Sequence, residues 1–83
     1  MSGSRVVAID LVIPDTDPSK RDIRIMADVL NKQGQIEPLQ VRTYSPEKFI
    51  TCYQDAHGSS IVRAAQLLGW KTLLILEVNK YIY

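Results

Sequence analysis

Cysteine is almost missing from this sequence: Cys52 is the single one in 83 residues. One thiol closes no internal disulfide, and the usual zinc spacings are absent. Cys52 sits in an apolar stretch, which marks it as a buried thiol rather than a reactive one. Charge of one sign is lacking too. Ten Lys plus Arg stand against nine Asp plus Glu, a net charge of +1. A nonspecific DNA coat needs several clustered cations, and here only Lys20, Arg21 and Arg24 lie close together. Long hydrophobic runs are missing as well. Stretches such as Leu73–Leu76 fall far short of the roughly 20 residues of a membrane span, and no signal-peptide pattern is visible. A cytoplasmic protein with no membrane partner is the expectation.

What remains suits one small domain. Hydrophobic residues make up 46% of the chain, enough for one core. Folding at this size hides only roughly 60% of the unfolded surface, so reserve stability is small. Residues 1–4 read as a flexible leader and residues 5–83 as the domain.

The pattern predicts strand, helix, strand, strand, helix, strand. Val6–Ile13 is rich in β-branched residues and reads as one strand, stopped by Pro14, which offers no amide hydrogen. Asp17, with Pro18 behind it, can cap the following helix; Ser19 with Asp22 is the second candidate. Asp15, Asp17 and Asp22 serve turns and caps on this reading, not a metal. Ile23, Met26, Ala27 and Leu30 share one face of a helix over Lys20–Gln33, and Gly34 ends it. Asp28 and Lys32 are spaced to pair on its wet side.

Leu39–Thr43 and Phe49–Tyr53 are the next strands, joined so briefly that they should pair antiparallel. Ile61, Ala64, Ala65 and Leu68 restore helical spacing up to Gly69, and Leu73–Val78 closes the order as an apolar strand. Trp70 and Phe49 are expected to bury large surfaces, with Tyr44, Tyr53, Tyr81 and Tyr83 at edges. Helices with one apolar stripe must pack on a sheet, so the fold class is α/β.

The order of segments resembles the ParB N-terminal/sulfiredoxin-like family. Ile9–Pro14 is similar to its opening strand with Ile/Val-Pro. Gly34-Gln35-Ile36-Glu37-Pro38-Leu39-Gln40-Val41 resembles its glycine–linker–Pro–Ile–x–Val segment. Arg63-Ala64-Ala65-Gln66-Leu67-Leu68-Gly69-Trp70 is similar to its Arg-Ala-Ala helix. The resemblance implies a compact mixed sheet packed with helices. It also implies a phosphate-contacting turn at the start of the second helix, where the family commonly carries Gly-Glu-Arg-Arg or a Gly-Cys-His-Arg type of sequence. Here that stretch is Gly58-Ser59-Ser60-Ile61. The glycine is kept, Ile61 stands at the last basic position, and no cysteine takes the sulfiredoxin place. The nucleophilic thiol of sulfiredoxin chemistry is missing, and Cys52 does not substitute for it.

Two readings of the turn stay open. In one, Gly58 supplies a backbone geometry closed to other residues, Ser59 and Ser60 offer hydroxyls to a ligand, and Arg63 reaches it from the flank. In the other, Ser59 or Ser60 merely caps the helix. The expected function is a noncatalytic binding or regulatory module linked to plasmid, phage or chromosomal DNA maintenance, including plasmid partition, acting mainly through a protein partner. No cofactor is assigned, though a nucleotide is compatible with the turn. The enzymatic alternative is nucleotide-dependent phosphoryl transfer or phosphodiester hydrolysis, with His57 moving a proton and Asp55 orienting it. Direct DNA binding would use Arg42, Arg63 and Lys71. A structural homodimer would use Tyr81, Ile82 and Tyr83 as its interface.

Overall fold

The computed structural model describes residues 4–52 and 57–78. Five strands and two helices follow in the order β1 (Ser4–Ala8), β2 (Val12–Ile13), α1 (Lys20–Gln33), β3 (Leu39–Ser45), β4 (Lys48–Thr51), α2 (Gly58–Leu67) and β5 (Thr72–Glu77). The first helix has the expected bounds. β3 and β4 pair antiparallel, also as expected, although β4 ends at Thr51 and Tyr53 lies outside the described residues. Ser4, read as leader, already opens β1; residues 1–3 lie outside the described part.

The single strand expected over Val6–Ile13 is two strands. A 3₁₀ turn, Ile9–Leu11, breaks it, and the halves lie at opposite edges of a mixed sheet ordered β1-β5-β3-β4-β2. That arrangement forces the sheet to curl. Four strand spacings laid flat would separate the edges by about 19 Å. The link from Ala8 to Val12 reaches about 14 Å at full stretch and roughly 8 Å in 3₁₀ form. The Arg5 guanidinium confirms the curl, lying 5.2 Å from the centre of the Phe49 ring although β1 and β4 are three places apart in the order.

The concave face carries the core. Leu39, Val41, Leu73 and Ile75 are fully buried, with Leu39 opposite Ile75 and Val41 opposite Thr51. The helices close over them and against each other, Ala27 and Leu30 from α1 and Val62, Ala64 and Ala65 from α2. The alanines let the two backbones approach closely.

The helix ends follow local chemistry. Ser19, rather than Asp17, caps α1: its hydroxyl accepts from the Asp22 amide at 3.1 Å. Gly34 takes φ 72° at the other end and donates to the Leu30 carbonyl at 2.8 Å. Gly69, φ 80°, closes α2 in a Schellman motif, with Trp70 N–H on Ala65 O at 2.9 Å and Gly69 N–H on Gln66 O at 3.0 Å. Asp28 and Lys32 pair at 3.2 Å. Just before β3 begins, the Gln35 amide imitates a strand: it accepts from Leu74 N–H at 2.9 Å and donates to Leu74 O at 2.8 Å.

Candidate functional site

The start of α2 is the turn that the sequence singles out. His57 is its N-cap residue and makes no side-chain capping bond to the helix. The helix opens instead on backbone pairing, with Ile61 N–H on His57 O at 2.9 Å. Gly58 is the first helical residue, so it supplies no unusual geometry; among the described residues, positive φ belongs to Gly34 and Gly69. Neither Ser59 nor Ser60 caps α2, which corrects both parts of the capping reading.

Ser59 turns into the protein. Its Oγ donates to Asp15 Oδ1 at 2.8 Å and accepts from Thr16 twice, from the amide at 3.0 Å and from the hydroxyl at 2.9 Å. Thr51 completes the cluster from β4. Its Oγ1 donates to Asp15 Oδ1 at 2.5 Å and accepts from the Asp15 amide at 2.8 Å. A hydroxyl has one proton and two lone pairs. Both protons are committed to the carboxylate, so the 3.4 Å approach of Thr51 to Ser59 adds no strong bond. Ser59 has no donor left for a ligand.

The electrostatics agree. Burial raises the Asp15 pKa, but the hydrogen bonds from Thr51, Ser59 and its own amide, with the charge of Arg42, outweigh it and hold the carboxyl below its ordinary range. A helix start favours an anion. Here a carboxylate of the chain itself lies beside that start, bound through the hydroxyl of the second residue of α2. An incoming phosphate would meet a like charge and a hydroxyl already in use.

The other expected site residues scatter. Ser60 is buried and borders a small depression with Asp22, Met26 and His57. Ile61, at the place the resemblance assigns to a basic residue, is half-buried against the core. Arg63 is exposed on α2. Arg42 extends β3 toward Val78, whereas Lys71 precedes β5 by one residue. The six residues of β5 lie between Lys71 and Val78, seven strand steps or roughly 23 Å. Arg42 and Lys71 thus stand apart along the β3–β5 pair. Asp55, Tyr81, Ile82 and Tyr83 lie outside the described residues. Among the described residues no group of three His, Cys, Asp or Glu side chains is placed to hold a metal, and no helix is long and apolar enough to cross a membrane. Cys52 is buried, as its apolar surroundings suggested.

Sequence reasoning missed Thr16 and Thr51, and it gave Asp15 a turn role. Thr51 carried one faint sign: it falls on the same strand face as Phe49, which points a hydroxyl into the core.

No protein-family model and no curated protein matches the sequence. Solved structures do. Over 95% of this chain and 46% of the other, the fold superposes on the C-terminally truncated chromosome-partitioning protein ParB from Caulobacter crescentus complexed with CTP-γ-S, with TM-score 0.75 and 21% identity. The same protein complexed to the centromeric parS site gives TM-score 0.69 and 23% identity, over 90% of this chain and 39% of that one. C-terminally truncated SbnI from Staphylococcus aureus gives TM-score 0.80 and 13% identity, over 94% of this chain and 31% of that one. Sulfiredoxin from Arabidopsis thaliana gives TM-score 0.71 and 12% identity, over 93% and 85%. The chain thus spans less than half of the ParB and SbnI chains and most of sulfiredoxin's. At these identities the likeness is one of fold: a compact α/β domain of ParB/sulfiredoxin-like architecture, its mixed sheet packed by helices.

Proposed function

We propose that this chain is a noncatalytic binding or regulatory module of DNA maintenance that acts through a protein partner rather than through nucleotide phosphate chemistry. The setting is taken from the likeness to ParB, which has been solved with CTP-γ-S and with the parS site. One observation carries the departure from phosphate chemistry: Ser59 is spent on Asp15 and Thr16, which leaves a carboxylate at the start of α2. A triphosphate site needs cations and open donors at that place. The residues of this chain there are a satisfied serine, a buried serine and a hydrocarbon.

Titration of the ¹⁵N-labelled chain with CTP, ATP and a short DNA duplex tests the reading. The backbone amides of His57–Arg63 are expected to stay unmoved by all three. Saturable shifts there with either nucleotide would overturn the proposal.

A further inference from the structure

α1 is apolar on more sides than its packing uses. Ile25 is 54% exposed and Val29 38%, and Ile36 in the link to β3 is 71% exposed. These residues border two adjoining hollows that share Met26 and His57. The larger, about 390 Å³, runs between α1, the 34–38 link and Ile61 of α2. The smaller, about 250 Å³, continues past Ile25 toward the start of α1. Together they form one groove along α1.

Among the described residues its fixed charges are of one sign. Asp22 lines one end and Glu37 the other, His57 lies where the hollows meet, and no described lysine or arginine lines either hollow. Lys32 is drawn to Asp28, and Arg21 is exposed on α1 without lining the groove. From Asp22 to the end of α1 is roughly 17 Å, the length of about 12 helical residues.

We propose that this groove docks an amphipathic helix of a protein partner, about 12 residues long, with apolar anchors spaced i, i+3 or i+4, and i+7, and a basic residue toward each end. The proposal rests on the reading of the chain as a protein-binding module and names its binding face. The charges select this occupant over a second copy. Two copies packed antiparallel along α1 would set Asp22 of each toward Glu37 of the other, a like-charge contact made twice. A basic helix pairs both ends.

The test uses the full chain and two synthetic 14-residue helical peptides. Both carry three leucines at i, i+3 and i+7; one has lysines at its two ends and its twin has glutamates. The lysine peptide is expected to bind saturably, moving the signals of Met26, Val29, Ile36 and Ile61, and about tenfold tighter than its twin at low salt. Ile36→Lys, at an exposed site that leaves the fold intact, should weaken it about tenfold. Asp22→Asn with Glu37→Lys should remove or reverse the preference, with an unchanged spectrum elsewhere showing that the variant is folded. No binding, equal binding of both peptides, or shifts away from the groove would overturn the proposal. So would concentration-dependent shifts at the groove without peptide, which would assign it to a second copy. Nucleotide shifts at His57–Arg63 would sink the module reading separately, since they come from other ligands in titrations run without peptide.

Discussion

At the start of α1, Ser19 gives its hydroxyl oxygen to the Asp22 amide at 3.1 Å; at the start of α2, Ser59 gives its proton to Asp15, from a loop 44 residues away. The residue type is the same and the places are near, Ser19 at the N-cap of α1 and Ser59 the second residue of α2. One serine completes its own helix, and the other ties its helix to the β2–α1 connection. The difference lies in that step of position and in the neighbours. Ser19 is exposed and has only its own helix within reach, whereas Ser59 is buried beside a carboxylate that needs donors. A serine near a helix start is therefore a local cap when it holds the N-cap position, and one step further in it is open to a tertiary partner.

Breaking the α2 side should cost most. Asp15→Ala leaves the Thr51 and Ser59 protons without an acceptor, and about 3 kcal/mol of unfolding free energy should be lost in urea melts. A loss below about 1 kcal/mol would mean that the cluster is not held as described. The carboxylate also sets a pH dependence. Its folded pKa is lowered, so its contribution is complete above the unfolded value, about 3.9, and fades as pH falls through the folded value. The stability difference between the natural chain and Asp15→Asn should thus be full near neutral pH and shrink below about pH 4.

Ser59→Ala comes next, at about 2 kcal/mol, because it removes one charge-assisted bond and strands two Thr16 donors. Hydrogen exchange sharpens the comparison: the Thr16 amide should lose protection while the amide of Asp22 keeps its own. Ser19→Ala should do the reverse, at about 1 kcal/mol, exposing Asp22 and sparing Thr16. If both variants loosened the same amides, the two serines would not differ in the way the geometry says. Smallest is Lys32→Ala, about 0.3 kcal/mol, since the pair with Asp28 is solvated on both sides.

Local chemistry was legible wherever it decided the outcome. The stripe of Ile23, Met26, Ala27 and Leu30, with Gly34 after it, marks α1 within its observed bounds, although Asp17, the first cap candidate, gave way to Ser19. Gly69 and Trp70 mark the end of α2 for the same reason. The Val6–Ile13 strand failed because nothing in its composition signals a break. Ile9–Leu11 contains no glycine or proline, and only the closure of a curled sheet requires the turn there. The site failed for a related reason. Asp15, Thr51 and Ser59 meet across separations of 36 and 44 residues, and Gln35 reaches Leu74 across 39. Periodicity and capping rules see a few residues at a time, so they offered Ser59 a cap and had no means of offering it Asp15. The resemblance drew attention to this turn, and Ile61 at the place it assigns to a basic residue was readable there. The bond from Ser59 to the Asp15 carboxylate was not.

The most direct test is the titration of the Asp15 side-chain carboxyl carbon by NMR, run without and with millimolar CTP. A resident anion held by Thr51 and Ser59 should titrate below about 3.9 and keep the same midpoint when CTP is added. A midpoint at or above that value, or one that climbs with CTP as a triphosphate settles beside it, would contradict the claim that this helix start is already filled.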